Sequence, residues 1–205
     1  MIRRTLLAAL GLMLAACNAE GQGQASAQPI APTAEAGIEE AVFAGGCFWC
    51  MEHDMGAIPG VLSVTSGYTG GRNRNPSYEN HPGHYEAVLV RFDARVISYA
   101  QLLERYWPLT DPTDLGGQFC DRGHSYQPAI FVTPAQRPLA EASKAALIQS
   151  RRVNGQVRTP ILDRADFWEA EEYHRNYARR NPGRYAQYRQ GCGRDARLRD
   201  VWRRR

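Results

Sequence analysis

The chain has 205 residues, 43% of them apolar and 22% charged, with a formal net charge of +4. That length accommodates one globular domain with a full core. Lys144 is the only lysine and the basic excess is arginine concentrated between Arg175 and Arg205, so the balance gives nucleic-acid binding no support; the segment reads as a solvated helical face with Leu198, Val201 and Trp202 turned inward.

At the N-terminus, Arg3 and Arg4 precede an apolar run from Leu6 to Ala16, too short for a membrane span and right for a signal peptide over residues 1–16. It ends Leu14-Ala15-Ala16-Cys17, which resembles the lipobox of bacterial lipoproteins, so Cys17 is expected to carry lipid. The alternative is cleavage after Ala25-Ser26-Ala27 and a soluble periplasmic protein. Removing residues 1–16 takes away two arginines, and the charge falls from +4 to +2. Residues 17–37 are rich in Ala, Gln, Gly and Pro and read as a flexible tether, with a reach on the order of 25 Å.

From Ile38 onward strand and helix signals alternate. Strands are expected at 40–44, 61–68, 85–92, 128–132 and 158–162. Helices are expected at 47–57, at 99–107 with Ser98 and Gln101 as a capping box, at 134–152, and at 168–179 ending before Asn181-Pro182-Gly183. The order predicts an α+β fold, a two-layer sandwich with a ferredoxin-like centre. Two polar stretches, 69–84 and 109–127, resist this scheme; they contain Tyr78, Asp121 and Tyr126 and read as walls of an active site.

The chemistry concentrates in Gly45-Gly46-Cys47-Phe48-Trp49-Cys50-Met51-Glu52. A strand running into a helix puts Cys47 at a helix N-terminus, where unpaired amides and the helix dipole favour a thiolate; Cys47 is the expected nucleophile. A Cys-x-x-Cys pair also builds zinc sites, but Cys120 and Cys192 lie far apart and no His-x-His completes four ligands, so no metal is expected. A thiol-disulfide oxidoreductase working through Cys47 and Cys50 stays open as a rival; it needs Cys50 and leaves Glu86 without a role. Alternation in Tyr85–Phe92 puts Glu86 on one face with Val88, Val90 and Phe92, where desolvation would favour its protonated form and suit it to general-acid work; a strand-end glutamate turned to solvent is the alternative.

These residues, with Ser66-Gly67-Tyr68-Thr69-Gly70-Gly71, Asn75-Pro76-Ser77-Tyr78, Gly83-His84-Tyr85-Glu86, Gly117-Gln118-Phe119-Cys120-Asp121-Arg122-Gly123 and Tyr173-His174, resemble the peptide methionine sulfoxide reductase A family over roughly residues 40–195. The resemblance implies that Cys47 attacks the sulfoxide sulfur and Glu86 protonates its oxygen. It implies that Tyr78 and Tyr126 hydrogen-bond that oxygen, that Asp121 is linked to them, and that Phe48 and Trp49 receive the methyl group. It implies a sulfenic acid on Cys47, resolved by Cys192 or by its competitor Cys120, with Cys50 structural. Turnover then needs a thioredoxin-like dithiol in the cell envelope but no metal or organic cofactor. The resemblance implies methionine sulfoxide, as the S epimer, in proteins or free, as the substrate, and the protein is expected to be a monomer. Where many relatives have Gln-Tyr-Arg-Ser, this chain has Ser125-Tyr126-Gln127-Pro128 and lacks the arginine. The five histidines show no ligand spacing and read as structural, His174 packing with Tyr173.

Overall fold

A computed structural model of the chain describes residues 28–31 and 35–202. The leader, Cys17, most of the tether and the last three residues lie outside the described residues.

The first half follows the alternation of its sequence. Strand β1 (Ile38–Gly45) leads into helix α1 (Phe48–Gly56), then β2 (Val61–Thr69) and β3 (Tyr85–Asp93) pair antiparallel, and helix α2 (Tyr99–Tyr106) follows. Ser98 and Gln101 cap α2 reciprocally, each side chain bonded to the other's backbone N–H. A two-residue hairpin, β4 (Gly117–Gln118) and β5 (Asp121–Arg122), precedes β6 (Pro128–Val132), helix α3 (Arg137–Ser150) and β7 (Ile161–Asp163). With a last strand β8 (Phe167–Glu169), the strands align as β7-β6-β1-β3-β2-β8, with β6 and β7 the parallel pair.

Period-2 alternation sorts the strands' side chains between two clusters. Ala41, Phe43, Val88, Val90, Phe92, Ile130 and Val132 face α1, α2 and α3. Within that layer Tyr106 stacks on Phe43 at 4.7 Å and donates its hydroxyl to the Ala44 carbonyl. Full burial of Phe43, Leu102 or Leu103 contributes roughly 2 kcal/mol each. Val42, Ala44, Ala87, Leu89, Ala129 and Phe131 line the opposite face. There Ile30, read as part of a free tether, packs half-buried, and its N–H bonds the Phe167 carbonyl at 2.8 Å.

Helix α3 begins one turn later than the expected Pro134. Thr133 and Gln136 exchange side-chain and backbone bonds that close a turn first, and Arg137 then opens the helix with Pro138 in its first turn. The larger departure is the C-terminal part. The helix expected at 168–179 does not form. Phe167–Glu169 is instead strand β8, bonded to the edge of β2, and Ala170 continues the pairing through its N–H to Ser66. Turns then lead to helix α4 (Tyr177–Arg180), α5 (Pro182–Gly191) and α6 (Arg194–Val201). Pro182, read as a terminator, opens α5, where its missing N–H costs nothing.

Candidate active site

Cys47 is held by a tight junction. Gly46 has φ +81°, and a Cβ there would stand 2.6 Å from the Cβ of Gln118; a Cβ on Gly45 would meet the Met51 sulfur at 2.4 Å. Only glycines let β1 turn this sharply into α1. Cys47 is consequently the N-cap of α1 rather than its first residue, and it is 7% exposed. Opposite it, near the start of β3, Glu86 is 2% exposed and accepts the N–H of Phe48 at 3.1 Å. The strand and the helix N-terminus thus meet at one thiol and one carboxyl.

Burial pushes the Glu86 carboxyl up to about 8, against the pull of the Phe48 N–H and the Tyr126 hydroxyl. Glu86 is therefore a neutral acid at pH 7, as its apolar strand face suggests. The expectation of a resting Cys47 thiolate is not met. Burial raises its thiol well above the ordinary range, the neighbouring Cys50 and Glu86 raise it further, and the Tyr188 hydroxyl opposes them. Loss of water outweighs the helix terminus here. Cys50 is drawn down to about 7, chiefly by its hydrogen bond with Cys47 and also by the charge of Arg194, against burial.

Around this pair the aromatic side chains form a wall. The Tyr126 hydroxyl lies within hydrogen-bonding reach of the Tyr78 hydroxyl and the Glu86 carboxyl, so Tyr78, Tyr126 and Glu86 converge on one point. Tyr78 is 42% exposed at the rim, and its N–H is held by Glu171 at 2.8 Å. Phe48 is buried against Tyr68 and His174. Trp49 stacks face to face on Tyr177 at 3.7 Å and donates its indole N–H to His174 Nδ1 at 3.1 Å. His174, read only as packing with Tyr173, thus touches both rings of the expected methyl site. Burial lowers its pKa, so the ring is neutral with its proton on Nε2.

The Asp121 carboxylate, whose charge is felt by Tyr78 and Tyr126, accepts a hydrogen bond from Tyr188 on α5. Sequence reasoning missed Tyr188 and Tyr177. The available signal was the pair Tyr185 and Tyr188, three residues apart after a helix-opening Pro182, which puts both on one helix face.

Cys120 and Cys192, the two candidate resolving thiols, are joined to each other in a disulfide, while Cys47 and Cys50 are free. Arg194 holds the two segments together. It is 1% exposed, lies 4.5 Å over the Phe119 ring, donates to the Leu109 carbonyl at 2.6 Å, and shares Asp54 with Arg189. Cys120, Asp121 and Cys192 bring three ligand-type atoms within 4.8 Å of one another, but two are disulfide sulfurs with no thiolate to offer a metal.

The peptide methionine sulfoxide reductase family model matches residues 39–205. The chain is 60% identical over 168 residues to peptide methionine sulfoxide reductase MsrA 2 of Caulobacter vibrioides, covering 80% of this chain and 85% of that one. It is 51% identical over 169 residues to peptide methionine sulfoxide reductase MsrA of Bacillus licheniformis, covering 80% and 93%. Among solved structures, methionine sulfoxide reductase A of Corynebacterium diphtheriae superposes with a TM-score of 0.63 at 26% identity, covering 72% of this chain and 77% of that one. Mxr1 from Saccharomyces cerevisiae in reduced form shares the fold, with a TM-score of 0.65 at 24% identity over 73% and 89% of the two chains.

Proposed function

Since the chain belongs to the peptide methionine sulfoxide reductase family, we propose that it repairs the S epimer of methionine sulfoxide in cell-envelope proteins, with Cys47 as nucleophile and Glu86 as acid. The observation that carries this reading is a reduced thiol beside a carboxyl kept neutral by burial. The sulfoxide oxygen sits where Tyr78, Tyr126 and Glu86 converge, and the methyl group lies against the Phe48 and Trp49 rings. Cys47 attacks the sulfur while Glu86 protonates the oxygen, so methionine leaves and Cys47 becomes a sulfenic acid. The sulfoxide sulfur gains the two electrons that the cysteine sulfur loses.

Cys192 then attacks the sulfenic sulfur and releases water, leaving a Cys47–Cys192 disulfide. Cys120 attacks the Cys192 sulfur, frees Cys47 and closes the Cys120–Cys192 bridge, the arrangement of sulfurs found here. Cys120 is exposed, so an external dithiol of the thioredoxin type reaches the final disulfide at its sulfur. The leader and Cys17 support a lipid-anchored protein on the periplasmic side, with that dithiol in the envelope. The four strands β6-β1-β3-β2, connected as β-α-β-β-α-β, support a ferredoxin-like description of the centre.

The test mixes the reduced protein with one equivalent of a methionine sulfoxide peptide, without added reductant, and maps disulfides by mass spectrometry. Methionine with a Cys120–Cys192 bridge is expected. No methionine, with a Cys47–Cys50 bridge formed only against disulfide substrates, would favour the thiol-disulfide oxidoreductase instead.

A further inference from the structure

The attack just described leaves one proton unassigned. Cys47 is buried and protonated, Glu86 is needed as an acid, and so the thiol proton must go elsewhere. The groups facing Cys47 are Cys50 from its own helix, Glu86 from β3, Tyr78 from the loop before β3, and Tyr188 from α5, with Asp121 of β5 behind Tyr188. Cys50 is itself a thiol hydrogen-bonded to Cys47, and its low pKa draws on the charge of Arg194; as an anion it would raise Cys47, not activate it.

Tyr188 stands differently. Its hydroxyl proton is donated to the Asp121 carboxylate, and its ring packs against the cluster of Cys47, Cys50 and Tyr185, which leaves the oxygen lone pairs open to a proton released by the Cys47 thiol. The ring sets its edge against Trp49 at 5.6 Å. The helix that carries it is pinned to α1 by Arg189, which bonds both oxygens of Asp54 at 2.9 and 3.0 Å. That anchor does not involve the disulfide.

We propose that Tyr188 and Asp121 form the proton relay that activates Cys47: the thiol S–H bond breaks, the Tyr188 oxygen takes that proton, and the tyrosine's own proton passes to Asp121. No electrons are exchanged in this step. The sulfur lone pair attacks the sulfoxide sulfur as Glu86 protonates its oxygen. When Cys120 later displaces Cys47 from Cys192, Asp121 returns its proton through Tyr188 to the leaving thiolate, and the Cys120 thiol proton restores Glu86. Burial raises the Asp121 carboxyl, bringing it closer to the thiol it serves. Tyr188 touches the reacting sulfur and acts as a catalytic residue, whereas Asp121 acts through it. The Tyr188 carbonyl also accepts the N–H of Cys192 at 2.9 Å, so one helix end places both the relay and the resolving cysteine.

The inference rests on Cys47 being the attacking thiol. The experiment measures single-turnover methionine formation by Tyr188→Phe and Asp121→Asn between pH 6 and 10, with thermal melts to confirm folding. At pH 7 each variant is expected to lose on the order of 100-fold in rate, with the half-saturating substrate concentration nearly unchanged. The deficit should shrink at high pH, as the Cys47 thiol ionises without help; a purely structural defect would not converge in this way. A wild-type rate for folded Tyr188→Phe at pH 7, or a deficit independent of pH, overturns the relay while Cys47 chemistry stands. Methionine formation surviving Cys47→Ser overturns the proposed function and the relay with it.

Discussion

Replacing Glu86 by glutamine removes one acidic proton and little else. The glutamine carbonyl still accepts the Phe48 N–H, which the carboxyl now holds at 3.1 Å, and its amide still reaches the sulfoxide oxygen. Substrate binding should therefore survive while protonation of the departing oxygen fails. General-acid catalysis contributes about 10²–10⁴-fold, so a loss of at least about 100-fold is expected, equivalent to about 2.7 kcal/mol of barrier. With the carboxyl pushed up to about 8, about 90% of molecules hold the proton at pH 7 and about 10% at pH 9. The ratio of wild-type to Glu86→Gln single-turnover rates should thus fall roughly tenfold between those pH values. Ionisation of Cys47 acts on both proteins, and the Glu86 charge that raises the Cys47 thiol, absent in the variant, lowers the ratio further at high pH. Rapid-quench assay of methionine at saturating sulfoxide peptide measures it. A Glu86→Gln rate within threefold of wild type, or a ratio independent of pH, would refute the reasoning.

Stability should fall as pH rises. Glu86 and Glu52 are pushed up to about 8 and about 7, both chiefly by burial. The folded protein keeps protons that the unfolded chain releases near 4.5, so this contribution is full below that pH and is lost as pH rises towards 8. Melting temperatures between pH 5 and 8.5 should decline, and Glu52→Gln, which keeps the bond to the Asn176 N–H, should flatten the slope. Cys120→Ser should form methionine in the first turnover but stop at a Cys47–Cys192 bridge visible by peptide mapping; unchanged turnover with an external dithiol would remove Cys120 from the sequence of exchanges. Gly46→Ala should cost about 2 kcal/mol or more, because the residue would be strained at φ +81° and pressed on Gln118. It should also slow Cys47 chemistry by moving the N-cap, as chemical denaturation and single-turnover rates together would show.

The parts of this protein that local pattern determines were legible in its sequence. Short apolar runs mark β1 and β6, alternation marks β3, the Ser98 and Gln101 spacing marks the start of α2, and Glu86 lies on the predicted face of its strand. What escaped depends on partners distant in the chain. Residues 168–179 carry a pattern that would suit a helix, but the open edge of β2 recruits Phe167–Glu169, and Glu52 of α1 fixes the following turn by accepting the Asn176 N–H. Neither partner lies within 90 residues, so propensity cannot register them. The state of Cys47 escaped for a related reason: its position at a helix start was readable, but its burial comes from Tyr188 and Tyr185 packing down from α5. The pairing of Cys120 with Cys192 spans 72 residues and rests on Arg194 reaching Phe119.

The most direct test of Cys47 as the sulfoxide-attacking thiol removes the resolving thiols with Cys120→Ser and Cys192→Ser together, then adds one equivalent of methionine sulfoxide peptide and a reagent that captures sulfenic acids. The expected result is close to one methionine per protein, with the captured sulfenic acid on Cys47 alone. Methionine formed with the adduct on Cys50, or no methionine while Cys47 remains a thiol, would contradict it.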